Sequence, residues 1–291
     1  MNEEKQIVYL NGKYLDISEA KVSVLDRGFI FGDGVYEVIP VYAGYLFRFE
    51  EHIQRLFNSL KEIRLELGNS LSQWQTIIEQ LIQRNGSGDW SIYLHITRGV
   101  AKRDHGFPGK DIEPTVFIMC NPLYPQSEEL REKGVKAVTL ADNRWLNCHI
   151  KAISLLPNIL LRQQAMDSGT QEAILIRDGF ATEGAASNLF IVNNNILITP
   201  EKSQQLLPGV TRDLIVELAQ NNQLEVREQA ISEHELINAD EIWLTSSTKE
   251  ILAVTHLNDS PVANGRPGAL WKKMMALYQQ YKNRLRQGAK G

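Results

Sequence analysis

Two stretches of this chain hold residue types that could do chemistry together. Lys151 stands in Cys148-His149-Ile150-Lys151-Ala152-Ile153-Ser154-Leu155-Leu156, where its neighbours are small, apolar or weakly polar. An ammonium group is strongly hydrated and costly to bury, so a lysine in such company is awkward as a purely structural residue. Glu183 follows 32 residues later, in Thr182-Glu183-Gly184-Ala185-Ala186-Ser187-Asn188-Leu189-Phe190, a carboxylate beside a glycine in a strand-like region. An amine and a carboxylate of this kind suit the two anchors of pyridoxal phosphate: an imine to its aldehyde and a partner for its ring nitrogen. Each also has a plain reading, Lys151 as a surface lysine in a loop and Glu183 as a solvated turn residue after Asp178-Gly179.

Such a cofactor also needs donors for its phosphate, and two places offer them. Leu207-Pro208-Gly209-Val210-Thr211-Arg212 precedes a helix, whose first amides point at any anion placed there, with the Thr211 hydroxyl as a further donor or as an ordinary cap. Leu244-Thr245-Ser246-Ser247-Thr248 sets four hydroxyl residues at a strand end, either a phosphate cradle or a polar turn. Arg55, in Glu51-His-Ile-x-Arg-Leu56, lies beside an apolar helical stripe, where an arginine commonly covers apolar area with its stem. For a substrate, Gly32-Asp33-Gly34-Val35-Tyr36-Glu37 is a glycine-flanked turn entering a strand and aiming Tyr36 inward. The polar run from Thr97 to Pro108, with Arg103 and His105, is a loop between two strands.

The elements that must position these residues are those of an ordinary folded protein. The chain has 291 residues, long enough for two modest domains, with 43% hydrophobic and 23% charged residues. A net charge of −4, without a long run of like charge, gives no reason to expect nucleic acid. No apolar segment has signal-peptide or membrane-spanning length, and two cysteines, Cys120 and Cys148, make no disulfide framework, so a cytoplasmic protein is expected. The six histidines show no metal-ligand spacing, and no metal is expected.

Periodicity predicts an α+β fold. A hairpin runs over Ile7–Leu10 and Lys13–Leu15 about Asn11-Gly12, and a second joins Tyr36–Tyr42 to Tyr45–Phe49 through Ala43-Gly44. Ile53, Leu56, Leu60 and Ile63 recur at helical spacing over 50–65, and Trp74, Ile77, Ile78, Leu81 and Ile82 do so over 71–83. Strands are expected at 91–97 and 115–120. Asn121-Pro122-Leu123-Tyr124-Pro125-Gln126 reads as a linker. Strands at 135–140, 173–177, 189–192 and 196–198 follow, with helices near 155–168, 210–220 and 268–285. The expected division is an N-terminal domain over 1–121, a linker over 122–126 and a C-terminal cofactor domain over 127–291, with the active site in the cleft between domains.

Lys151 with its surroundings, and the Glu-x-x-x-Ser-Asn-x-Phe run from Glu183 to Phe190, resemble the class IV aminotransferases, the fold-type IV pyridoxal phosphate enzymes. The likeness extends from about Val8 to about Tyr281. It implies a smaller N-terminal sandwich-like domain and a larger C-terminal domain with a barrel-like sheet. It also implies that Lys151 carries the cofactor, Glu183 faces its ring nitrogen and Leu207 lies against its ring. Arg55, Val210, Thr211, Ser246 and Ser247 would then hold the phosphate.

Within the group the chain is most similar to the D-amino acid aminotransferases, in which a tyrosine, an arginine and a histidine trap the substrate carboxylate. These map onto Tyr36, Arg103 and His105, the last two reaching in from the partner subunit of a homodimer. Ala185-Ala186 departs from relatives that often carry serines there, and makes that side of the pocket less polar. The implied reaction is a ping-pong exchange between a D-amino acid and a 2-oxo acid. An aminodeoxychorismate lyase and a branched-chain L-amino acid aminotransferase are the alternatives.

Overall fold

The computed structural model describes residues 6–288, which divide into two compact units. The first comprises the chain up to Tyr124, Ile150–Ser154 and the residues from Arg284; the second comprises Pro125–His149 and Leu155–Asn283.

The first unit is a sheet with helices. Its strands are β1 (Ile7–Leu10), β2 (Lys13–Asp16), β3 (Gly34–Tyr42), β4 (Tyr45–Leu46), β5 (Trp90–Thr97) and β6 (Thr115–Pro122). They form one antiparallel sheet in the order β2-β1-β6-β5-β3-β4. The helices are α1 (Arg27–Phe31), α2 (Phe49–Glu62) and α3 (Leu71–Asn85). The stripe Ile53, Leu56 and Leu60 of α2, with Trp74, Ile78 and Leu81 of α3, packs on Val35, Ile39, Ile92, Leu94 and Ile96 of the sheet. A Ser70–Gln73 capping box starts α3. Alternation along β3 and β5 leaves Tyr36, Tyr93 and His95 on the other face, half-buried.

The strand expected at 45–49 is cut to two residues because α2 begins at Phe49, and Asn121-Pro122 completes β6 instead of opening a linker. The one-turn α1, too short for periodicity to reveal, is capped by the Asp26 side chain on Gly28 N.

The second unit opens with α4 (Glu128–Lys133) and β7 (Val135–Ala141), followed by α5 (Leu156–Asp167). Next come β8 (Glu172–Arg177), β9 (Phe180–Gly184), β10 (Asn188–Asn193), β11 (Ile196–Thr199) and α6 (Val210–Asn221). β12 (Val226–Glu228), β13 (Ile231–Ser232), α7 (Glu233–Ile237), β14 (Glu241–Ser246), β15 (Glu250–Leu257), β16 (Ser260–Pro261) and α8 (Ala269–Arg286) complete it, the end of α8 being grouped with the first unit. The sheet order is β12-β11-β10-β14-β15-β7-β8-β9-β13, with β16 on β15. β7 runs parallel to both β8 and β15. Among the described residues no helix is long and apolar enough to cross a membrane.

Candidate active site

Lys151 is held by its backbone before its side chain does anything. Its amide donates to Ser59 Oγ on α2, at 3.2 Å, and its carbonyl accepts from Tyr36 N on β3, at 3.0 Å. An isolated bridge pairs Val35 with Ala152, and Ile153 N donates to Gly34 O. The segment thus lies on the start of β3, a close approach that requires glycine at 34: a Cβ there would run into Ile96 O and crowd Ile153. The Lys151 ammonium sits over the Tyr36 ring, 4.1 Å from its centroid.

Arg55 lies on the same α2 helix, one turn before Ser59, and is buried against Glu37. Its Nε donates to Glu37 Oε1 at 2.7 Å and its Nη2 to Oε2 at 2.8 Å, a two-pronged contact that fixes the guanidinium plane. Glu37 is fully buried because strand alternation puts it on the apolar face with Val35 and Ile39. Burial pushes its carboxyl upward in pKa, but Arg55 and then His52, 2.9 Å away, outweigh that and hold it well below the usual carboxylate range.

Arg103 and His105 come together on Phe31, the last residue of α1. The Arg103 guanidinium is 5.4 Å and the His105 ring 5.3 Å from the Phe31 ring centroid. Both side chains are exposed in the single chain.

In the second unit Glu183 is the last residue but one of β9, buried at 4% exposure. Arg144 Nη1 donates to its Oε1 at 2.6 Å, while Leu207 N and Asn188 Nδ2 donate to its Oε2 at 3.1 and 3.2 Å. Arg144 is itself clasped by both oxygens of Asp142, which also accepts from the Thr182 hydroxyl. Burial raises the Glu183 carboxyl to about 7 against the lowering pull of Arg144 and of the Leu207 amide. A cation in front of this carboxylate would therefore have a strong effect on its charge.

Asn188 ties that carboxylate to the expected phosphate donors. It donates to Leu207 O at 2.8 Å, and across the β10–β14 pair it stands opposite Thr245, which leads into Ser246 and Ser247. The N-cap of α6 is Gly209, with no side chain capping it, and Thr211 is the second helical residue, not the cap. The amides of Val210 and Thr211 thus begin the helix as donors for an anion.

Two observations test whether these residues fit an anionic cofactor with a ring nitrogen. The buried Thr245 Oγ1 has no protein partner, and a Cβ at Gly209 would run into Asn188 Oδ1, so the helix start stays bare backbone. Hydroxyls, helix amides and one held carboxylate suit pyridoxal phosphate. Among the described residues no group of three His, Cys, Asp or Glu could hold a metal ion.

The sequence reading missed Arg144, Asn188 and Glu37. Asn188 was visible inside the quoted motif, and an acidic residue on the apolar face of a strand is itself a signal that a cation must face it. Arg144, 39 residues from Glu183, left no local trace.

Residues 34–257 match the family model described as amino-transferase class IV. The chain belongs to the class IV aminotransferases. It is 39% identical over 272 residues to a D-alanine aminotransferase of Bacillus licheniformis, covering 94% of this chain and 95% of that one. It is 35% identical over 274 residues to a D-alanine aminotransferase of Staphylococcus aureus (strain COL), covering 94% and 97%. The solved branched-chain amino acid aminotransferase of Escherichia coli superposes with a TM-score of 0.87 at 29% identity, over 95% of this chain and 94% of that one. The chain is thus an enzyme of the aminotransferase class with the fold that its motifs imply.

Proposed function

We propose that this chain is a pyridoxal phosphate-dependent D-amino acid aminotransferase, exchanging the amino group of D-alanine or D-glutamate with a 2-oxo acid such as 2-oxoglutarate or pyruvate. The observation that carries the choice is the Arg-x-His loop, whose Arg103 and His105 converge on Phe31. The D-alanine aminotransferase relatives, more similar in sequence than the branched-chain structure, support it.

In this reading the C-terminal domain holds the cofactor, which supplies an electron sink for the carbanion at the substrate Cα. Lys151 would hold it, and the Lys151 amine would act as general base for the proton at Cα of the amino donor. Glu183 would serve the cofactor's ring nitrogen, with Arg144 the cation that favours the charged form of its carboxylate against burial. Arg55, aimed by Glu37, would hold the phosphate with Val210, Thr211, Ser246 and Ser247, and Leu207 would face the ring. Tyr36, Arg103 and His105 pin the α-carboxylate and so decide which face of Cα meets the lysine. The enzyme works in the cytoplasm as a homodimer, with Arg103 and His105 serving the partner's site.

The test is Lys151→Ala, loaded with the cofactor and assayed for pyruvate from D-alanine and 2-oxoglutarate. Turnover falls to background; full activity in this variant overturns the assignment.

A further inference from the structure

Arg27 is a cation with a job outside the groups already assigned. It begins α1 and is 4% exposed, a costly position for a guanidinium unless its donors are satisfied. Its Nε donates to Asp33 Oδ2 at 2.7 Å. Its Nη1 donates to two carbonyls of the 98–108 loop, Asp104 O at 2.6 Å and Gly106 O at 3.3 Å. Those carbonyls stand on either side of His105. The Arg27 guanidinium also lies 4.9 Å from the centroid of Phe31, the ring that Arg103 and His105 approach from the loop.

Asp33 is shared. Arg98, 6% exposed, donates to both its oxygens, at 2.8 and 3.0 Å. Burial raises the Asp33 carboxyl, yet the hydrogen bonds from Arg98 and Arg27 win and hold it below its ordinary value, so it stays an anion between two cations. Arg98 continues to the carbonyls of Ile63 and Arg64 after α2, and lies 3.9 Å from the centroid of Phe107. The loop is held by two arginines that one carboxylate anchors.

Little else holds it. Among the described residues, the hydrogen bonds joining residues 102–108 to the rest of the unit are the two from Arg27; the remaining one is the loop's own turn, Gly106 N to Asp104 Oδ1 at 2.9 Å. Removing the Arg27 donors frees both carbonyls for water and releases the backbone that carries Arg103 and His105.

We infer that Arg27 is a positioning residue for substrate recognition, holding the loop backbone on both sides of His105 so that Arg103 and His105 meet the substrate's α-carboxylate. The inference rests on the proposed role of Arg103 and His105. It assigns Arg27 no contact with substrate. A misplaced loop weakens carboxylate binding and leaves the proton transfer at Cα in place.

The experiment uses the cofactor-loaded enzyme with D-alanine, comparing Arg27→Met, Arg27→Lys, Arg103→Ala and the double variant Arg27→Met/Arg103→Ala. Arg27→Met keeps the length of the stem and removes the donors. It raises KM about tenfold or more, with kcat within about threefold and the visible spectrum of the loaded enzyme unchanged. Arg27→Lys, able to reach one carbonyl, falls between wild type and Arg27→Met, and carries the same test if the methionine variant does not fold. On the Arg103→Ala background, Arg27→Met adds less than it does alone, because one of the two residues it positions is already gone.

An unchanged KM in Arg27→Met, or a full additional tenfold in the double variant, overturns the inference. If Arg103→Ala itself leaves KM unchanged, the underlying reading of the carboxylate trap has failed, and the inference falls with it. A raised KM in Arg103→Ala beside an unchanged Arg27→Met sinks the positioning role alone.

Discussion

Arg144 and Glu183 share one short hydrogen bond, Nη1 to Oε1 at 2.6 Å, and it sets a cation against a carboxylate that burial drives toward its protonated form. Removing Arg144 leaves the carboxyl buried without its charge partner. Arg144→Met is expected to lower stability by about 3–5 kcal/mol, the cost of breaking a buried pair. It should also lower kcat by roughly tenfold to a hundredfold, since a neutral acid no longer holds a ring nitrogen protonated. Urea unfolding and initial rates with D-alanine check the two figures; an active variant of wild-type stability contradicts the role.

The raised Glu183 carboxyl makes a signed prediction about pH. Its folded value of about 7 lies above the ordinary 4.5, so the folded state binds this proton more tightly than the unfolded chain. The contribution to stability is full below about pH 4.5 and is lost as pH rises through about 7, on the order of 3 kcal/mol in all at about 1.4 kcal/mol per unit. In the cofactor-free protein, Glu183→Gln removes this loss. The stability of the variant relative to wild type therefore rises between pH 5 and pH 8. A gap that stays flat over that window would show that Glu183 does not titrate there.

Glu37 behaves in the opposite sense. Its folded value is depressed by Arg55 and His52 despite burial, so its contribution is present above the ordinary carboxylate value and is lost as pH falls toward the depressed one. Glu37→Gln removes the carboxylate that clasps the buried Arg55 and is expected to cost about 3–5 kcal/mol at pH 7, the difference shrinking in acid. Denaturant melts at pH 7 and pH 3.5 check it. The same variant should weaken cofactor retention on dialysis, since the guanidinium plane is no longer fixed.

Gly209→Ala tests the bare helix start. The backbone at 209 is extended, φ −73°, so alanine meets no conformational strain; its Cβ instead meets Asn188 Oδ1. Relief requires Asn188 to turn, and that residue bonds both Glu183 and Leu207. A loss of about 1–3 kcal/mol is expected from overpacking, with weakened cofactor binding. Wild-type stability and cofactor affinity in this variant would contradict the coupling.

Elements with their own periodicity or caps were readable in the chain. The stripes of α2 and α3 and the Asn11-Gly12 hairpin needed no tertiary information. β15 escaped notice: Glu250-Ile-Leu-Ala-Val-Thr-His-Leu257 is buried along most of its length and so lacks alternation. The hydroxyl run Thr245–Thr248, read at a strand end as a phosphate cradle or a polar turn, covers the last two residues of β14 and the start of the turn to β15. The pairing of 150–154 with the start of β3 joins residues more than a hundred positions apart. Motif and residue type could single out Lys151 and Glu183. The cation that governs Glu183 and the arginine clamp behind His105 exist only once the chain has folded.

The most direct test of the D-amino acid assignment is the visible absorbance of the protein loaded with pyridoxal phosphate, recorded before and after D-alanine, with L-leucine in a parallel cuvette. The expected result is a visible band that D-alanine abolishes, with pyruvate formed, and that L-leucine leaves unchanged. A band lost only with L-leucine, or unmoved by either, contradicts the D-amino acid assignment, and no band at all after loading contradicts the cofactor.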